Sequence, residues 1–187
     1  MVKKGTKKPQ KLTKPDRFPL IENALRKRTK EELIGTIMML AKGHAVVARE
    51  LEAKLDVKLP VDLLIADVSS AIDRATDFDE RFLNTNFEFD WQAYEQVKKG
   101  LSQLLTLGQL EAAKSLAIKL MQDGSRQAEY SEEGLMTEDI CECLKPVIRA
   151  VKAVGGIEAT KWAREMQRED RGGFICDQEL AKLSGKS

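Results

Sequence analysis

The stretch FDWQAYEQVKKGLSQLLTLGQLEAAKSLAIKLMQDG, Phe89 to Gly124, decides the fold. Trp91, Tyr94, Val97, Leu101, Leu104 and Leu105 recur at intervals of three and four, the spacing that gathers side chains on one face of an α-helix. Asp90 precedes them as an N-cap, where a carboxylate can accept one of the backbone N–H groups a helix start leaves unpaired. Gly108 then permits a turn. A second pattern, Ala113, Leu116, Ala117, Leu120 and Met121, runs from Leu110 to about Gln122, and Gly124 stands where a left-handed cap would end it. Small side chains at Ala113 and Ala117 let two backbones approach closely. The stretch therefore predicts two antiparallel helices built for packing, and its polar residues Lys98, Lys99, Gln109 and Glu111 form no catalytic group.

The flanking sequence repeats this design. Upstream, TKEELIGTIMMLAKG opens on Thr29 with Glu32 three residues later, a capping box in which each side chain satisfies a backbone N–H of the other. Leu33, Ile34, Ile37, Met38, Leu40 and Ala41 make a broad apolar stripe, and Gly43 closes the helix. HAVVARELEAKL, with Val46, Val47, Leu51 and Leu55, supplies an antiparallel partner across a short turn. Pro60 begins a further helix with the stripe Leu63, Leu64, Val68, Ala71, Ile72 and Ala75. Ahead of these, FPLIENALRKR predicts a short helix that seals the first hairpin through Phe18, Leu20, Ile21, Ala24 and Leu25.

Downstream, GSRQAEYSEEGL reads as a polar loop, after which Ser131 or Thr137 restarts a helix. That helix carries Ile140, Leu144, Val147, Ile148 and Val151, with a kink expected at Pro146, and Gly155 and Gly156 end it. IEATKWAREMQRED supplies a partner through Ile157, Trp162, Ala163 and Met166, RGGF breaks the chain, and DQELAKL gives a last short turn. No window alternates apolar and polar residues with period two, so a sheet is not supported. The expected architecture is all-α: antiparallel helical hairpins stacked as a short solenoid or bundle. A flexible basic tail over residues 1–17 precedes an N-terminal lobe over 18–76. An aromatic and acidic connector over 77–89, holding Phe78, Phe82, Phe87 and Phe89, leads to a C-terminal lobe over 90–187.

Composition agrees with a helical globular protein: of 187 residues, 42% are hydrophobic and 33% charged. The longest apolar runs, such as IMMLA, fall far short of the roughly 18 to 20 residues of a membrane span. The basic N-terminus lacks the apolar core of a secretory signal, which leads us to expect a cytoplasmic protein. Cys141, Cys143 and Cys176 are odd in number and not spaced as a disulfide framework, so reduced thiols are expected. The net charge of +1 conceals an asymmetry: residues 1–30 hold eleven Lys or Arg against Asp16 and Glu22, a net of +9, and the remainder carries −8. Such polarity suits a basic arm that contacts nucleic acid or a partner, through Lys3, Lys4, Lys7, Lys8, Lys11 and Lys14, extended by Arg26, Lys27, Arg28 and Lys30.

Two family resemblances follow from these residues. The order Gly108, Ala113, Ala117 and Leu120 in LGQLEAAKSLAIKL, after Trp91 and Tyr94, resembles the turn and second helix of a tetratricopeptide-type (TPR-like) repeat over about 35 residues. More broadly, TKEELIGTIMMLA, LLTLGQLEAAKSLAIKLM and YSEEGLMTEDI resemble the helical region that accompanies SWIM-type zinc fingers in bacterial proteins, across residues 29–150. The zinc pattern of that family, a C-x-C pair followed by Cys and His ligands, is absent. The resemblances thus imply a helical interaction module with no metal and no cofactor.

Catalytic constellations find little material. His44 is the sole His and falls at a turn, where capping is the simpler role. Cys141 and Cys143 lie two apart on a helix and point about 200° apart, so they cannot chelate one ion. The carboxylates Asp77, Asp79, Glu80, Glu88 and Asp90, and the run Glu129, Glu132, Glu133, Glu138 and Asp139, read as solvated or as favouring helix starts. REDRGGF sets Arg168 and Arg171 beside two glycines, yet it follows a helix where a phosphate loop should precede one. The expectation is a non-catalytic protein-binding adaptor or regulatory subunit, with homo-oligomers possible and Trp162, Tyr94 or Met side chains as partner anchors. Trp91 reads as core. The alternative is a nucleic-acid-associated protein acting through the basic arm.

Overall fold

In a computed structural model that describes residues 17–55, 57–78, 89–131 and 136–185, the chain is all-α: among the described residues there are nine helices and no strand. Residues 1–16 of the basic tail, Phe82 and Phe87, Asp79, Glu80 and Glu88, and Glu132 and Glu133 lie outside the described residues. The chain divides into two units, Met1–Lys58 and Leu59–Ser187.

The first unit holds α1 (Phe18–Leu25), α2 (Lys30–Gly43) and α3 (Ala45–Lys54). The capping box forms as the sequence predicts: the Glu32 N–H donates to Thr29 Oγ1 at 3.2 Å and the Thr29 N–H donates to the Glu32 carboxylate at 2.9 Å. These bonds hold the Glu32 carboxyl below the usual range. Helices α2 and α3 pack on each other across His44, which ends one and begins the next without a side-chain cap bond. The expected seal does not form, because no residue of α1 is buried and Phe18 is 78% exposed. Eight residues make barely two turns, too short a face to cover a hairpin.

The second unit contains α4 (Val61–Ala75), α5 (Trp91–Thr106), α6 (Leu110–Tyr130), α7 (Thr137–Val154), α8 (Gly156–Glu169) and α9 (Asp177–Ser184). Helix α4, expected in an N-terminal lobe over 18–76, instead packs with α5 and α6, so the boundary falls after Lys58. Its stripe explains why: Leu64, Val68, Ala71, Ile72 and Ala75 are buried, and Val68 meets α5 at Gly100, where the absence of a side chain lets the helices close. From α4 onward each helix packs on the next, and also on the next but one. Asp90 caps α5, its carboxylate accepting the Ala93 N–H at 3.0 Å. Gly108 and Gly155 take φ values of 72° and 68° at the α5–α6 and α7–α8 turns, a region open to glycine at little cost.

Four expectations are corrected in this unit. Helix α6 does not stop near Gln122 but runs to Tyr130, so Gly124 is an interior residue and most of the expected polar loop is helical. A Cβ at Gly124 would lie 2.8 Å from Ile140 Cδ1, so the glycine serves close packing against α7 rather than termination. Trp91 is 60% exposed, whereas Trp162 is 4% exposed and Tyr94 is buried. At about 100° per residue, Trp91 lies roughly 120° from the middle of the buried arc of α5, while Trp162 lies about 50° from the middle of that of α8 and so stays within it. Finally, Cys141 and Cys176 are disulfide-bonded, their Cα atoms 5.6 Å apart, because α7 and the segment before α9 converge.

Candidate functional site

One polar cleft of the second unit lies between the end of α4 and the middle of α6. Asp73 lies in the last turn of α4 and Asp77 just beyond its end, and Lys119, Asp123 and Arg126 follow at four and three on one face of α6, with residues of both segments lining the same cleft. With Thr76 and Phe78 they line a cleft of about 330 Å³. Lys119 Nζ lies 2.7 Å from Asp73 Oδ1 and 2.7 Å from Asp123 Oδ2. Burial, the largest influence on that amine, pulls its pKa down, but the bonds to Asp123 and Asp73 outweigh it and raise the value. Lys119 is therefore a firmly protonated ion-pair centre and not a nucleophile. The Arg126 guanidinium stands 5.7 Å over the Phe78 ring, which also contacts Tyr130 at 5.4 Å between centroids. The cleft combines charges of both signs with an aromatic floor.

Behind it lies a buried polar chain. Tyr94 Oη–H donates to Gln127 Oε1 at 2.6 Å, and Gln127 Nε2 donates to the Ala75 carbonyl at 2.9 Å, joining α5, α6 and the end of α4. Burial raises the Tyr94 hydroxyl well above its ordinary range, so it remains a donor. Cys143 donates to the Tyr94 carbonyl at 3.3 Å, and burial pushes its thiol up to about 12. A thiol held so firmly protonated is a packing residue rather than a nucleophile. On the surface, Glu142 bonds Lys145 at 2.7 Å and Lys98 at 3.1 Å, which lowers the carboxyl and raises both amines.

The glycine segment of REDRGGF is occupied from within. Asp170 accepts the Gly173 N–H at 3.0 Å and the Ile175 N–H at 2.8 Å, so the N–H groups that might cradle a phosphate already hold a carboxylate. Arg171 pairs with Glu129 at 3.3 Å. His44 is exposed. Among the described residues no group of three or more His, Cys, Asp or Glu is placed to hold a metal ion. Of the basic residues expected to contact a partner, Lys3, Lys4, Lys7, Lys8, Lys11 and Lys14 lie outside the described residues. Arg26, Lys27, Arg28 and Lys30 are exposed around the start of α2, with Arg26 paired to Glu22 and Arg28 to Glu32.

Sequence reasoning missed the Asp73, Lys119 and Asp123 cluster, the buried Gln127 and the Cys141–Cys176 bond. Only the Lys119–Asp123 pair had a signal, its i, i+4 spacing on α6; Asp73, Gln127 and the disulfide depend on contacts between distant segments. No helix among the described residues is long and apolar enough to cross a membrane. Comparisons with family models, curated proteins and solved structures give no match.

Proposed function

We propose that the chain is a non-catalytic protein-binding adaptor or regulatory subunit, in which the α4–α9 array presents its partner surface. The observation that carries this reading is a group of uncovered apolar residues at one end of the array. Helices α6 and α8 pack together, and Trp162 Nε1–H donates to the Lys114 carbonyl at 3.3 Å, which registers their N-terminal halves. The α5–α6 and α7–α8 turns therefore share an end, and there Leu107 is exposed, with Val154 and Ile157 at 72% and 75% exposure. Exposed apolar side chains gathered at helix ends suit a protein partner. The pairing of every helix with the next two also supports a short TPR-like solenoid, in which such turns form continuous binding edges.

The experiment is affinity purification under mild salt from the cells that produce the protein, comparing it with Val154→Asp/Ile157→Asp. The adaptor reading predicts co-purifying protein that the double variant loses while its thermal unfolding is unchanged. Recovery of the chain alone would sink it. The cytoplasmic placement expected above belongs to the same proposal.

A further inference from the structure

The last helix of the second unit is tied down by a bond that thiol chemistry can open. Helix α9 has eight residues, and isolated helices shorter than about 12–15 residues are marginal in water, so it depends on docking. It packs on α8 and, more lightly, on α7. Leu180 and Ser184 are buried, as is Ile175 just before the helix, and the Thr160 hydroxyl of α8 donates to the Leu183 carbonyl at 3.3 Å. Two costs stand against these contacts. Cys176, the residue preceding α9, has a φ of 53°, the one positive value outside glycine among the described residues and a conformation L side chains rarely adopt. Gln167 Oε1, on α8, is buried without a hydrogen-bond partner among the described residues, and its side chain borders a cleft of about 190 Å³ that Ile175 and Leu180 also line. Noncovalent contact alone therefore holds α9 weakly.

We propose that the Cys141–Cys176 bond is a redox-sensitive latch: oxidised, it keeps α9 on α7 and α8; reduced by thiol exchange, it lets α9 leave. The bond ties the residue before α9 to the second turn of α7, so it acts where docking begins. Its two sulfurs differ in access. Cys176 is buried, whereas Cys141 is half-buried, so the thiolate of a small thiol meets the Cys141 sulfur first. Attack there forms a mixed disulfide with Cys141 and breaks the S–S bond; Cys176 Sγ leaves as a thiolate and takes a proton from water. A second small thiol displaces the first, so two thiols become one disulfide and the protein gains two electrons and two protons. A small disulfide runs the same steps backward and closes the latch.

The exchange is confined to one pair, and its effect to one helix. Cys143 takes no part: it lies two residues from Cys141, about 200° around α7, buried and donating to the Tyr94 carbonyl at 3.3 Å. Helices α4 to α8 each pack on the next without α9, so they stay assembled when it leaves. Opening uncovers Ile175 and Leu180 together with the part of α8 around Thr160 and Gln167. This inference does not rest on the adaptor reading.

The test is amide hydrogen exchange of the full chain, read by mass spectrometry in the oxidised form and after reduction with glutathione. In the oxidised chain, peptides of α9 should exchange in step with those of α7 and α8. After reduction they should exchange faster than α7 and α8 in the same sample, by on the order of tenfold to a hundredfold, the loop-closure advantage of a short tether. Glutathione should reduce the bond without denaturant, and oxidised glutathione should restore slow exchange. Cys141→Ser/Cys176→Ser should match the reduced chain and respond to neither reagent; if it fails to fold, the reduced wild-type chain decides. Exchange of α9 in step with α7 and α8 after reduction overturns the proposal, whether the unit stays closed or unfolds together. Fast exchange of α9 in both forms, or reduction only where denaturant unfolds the chain, overturns it equally.

Discussion

Gly100→Ala tests how α4 and α5 are held together. In a helix interior this change should be favourable, because Ala is better than Gly by about 0.8–1.0 kcal/mol. Here, however, a Cβ would be driven into Val68 Cγ2, with Val68 Cβ only 3.5 Å away. Val68 cannot step aside easily, since a β-branched side chain in a helix has one strongly preferred χ1. Overpacking of a close contact costs typically 1–3 kcal/mol, and this overlap falls at the upper end. The net expectation is a loss of about 1–2 kcal/mol, or roughly 3–6 °C in Tm for a unit of this size. Val68→Ala removes the obstructing methyls and alone should cost about 2 kcal/mol through lost burial and a cavity. In that background Gly100→Ala should reverse sign and stabilise by up to about 1 kcal/mol, so the double-mutant cycle should give a coupling of about 2–3 kcal/mol. Thermal and urea unfolding followed by circular dichroism would measure all four corners. A stabilising Gly100→Ala in the wild-type background, or additive effects, would refute the close approach of these helices.

Three further outcomes follow from the second unit. Tyr94→Phe leaves the buried Gln127 Oε1 without its donor and should cost about 1–3 kcal/mol by urea midpoint at constant slope; no change would show that the chain through Gln127 does not bear on stability. Thiol titration in denaturant without reductant should find one free thiol, from Cys143, and three after reduction. Cys141→Ser/Cys176→Ser should lower stability by roughly 3–4 kcal/mol for a loop of 35 residues, and three free thiols before reduction would contradict the bond. Glu142 is held below its ordinary carboxyl range by Lys145 and Lys98, so its contribution is present above the unfolded pKa and disappears as pH falls through the folded one. Glu142→Gln should accordingly flatten the acid side of the stability profile, and an unaltered acid limb would remove the network as a contributor.

Local chemistry was readable wherever one segment determined the result. The Thr29–Glu32 box, the Asp90 cap and the turn at Gly108 depend on residues within one turn of each other, and each forms as the spacing predicts. Gly124 misled because a glycine that ends a helix and one that admits a neighbour look alike until Ile140 is placed beside it. Trp91 misled because a recurrence at three and four drifts around the helix, so the first member of a long stripe can leave the buried arc. Gln127 gave no warning: a buried amide is tolerated only when both of its ends are satisfied, and its partners, Tyr94 and Ala75, are 33 and 52 residues away.

The most informative mismatch lies between two stripes that look equally good in the sequence. Helix α4 buries Leu64, Val68, Ala71, Ile72 and Ala75, whereas α2, with Ile34, Ile37 and Met38 at the same helical spacing, buries nothing. Periodicity states that a face is apolar; it carries no information on which chain will cover it. Since burial of that face is what makes a short helix stable, a well-capped α2 with an open stripe depends on contacts beyond its own hairpin. The capping box strengthens this conclusion: a start signal stabilises a helix by about 1 kcal/mol, far less than the ordering of fourteen residues costs. The deficit has to be met by contacts that α2 and α3 do not supply to each other.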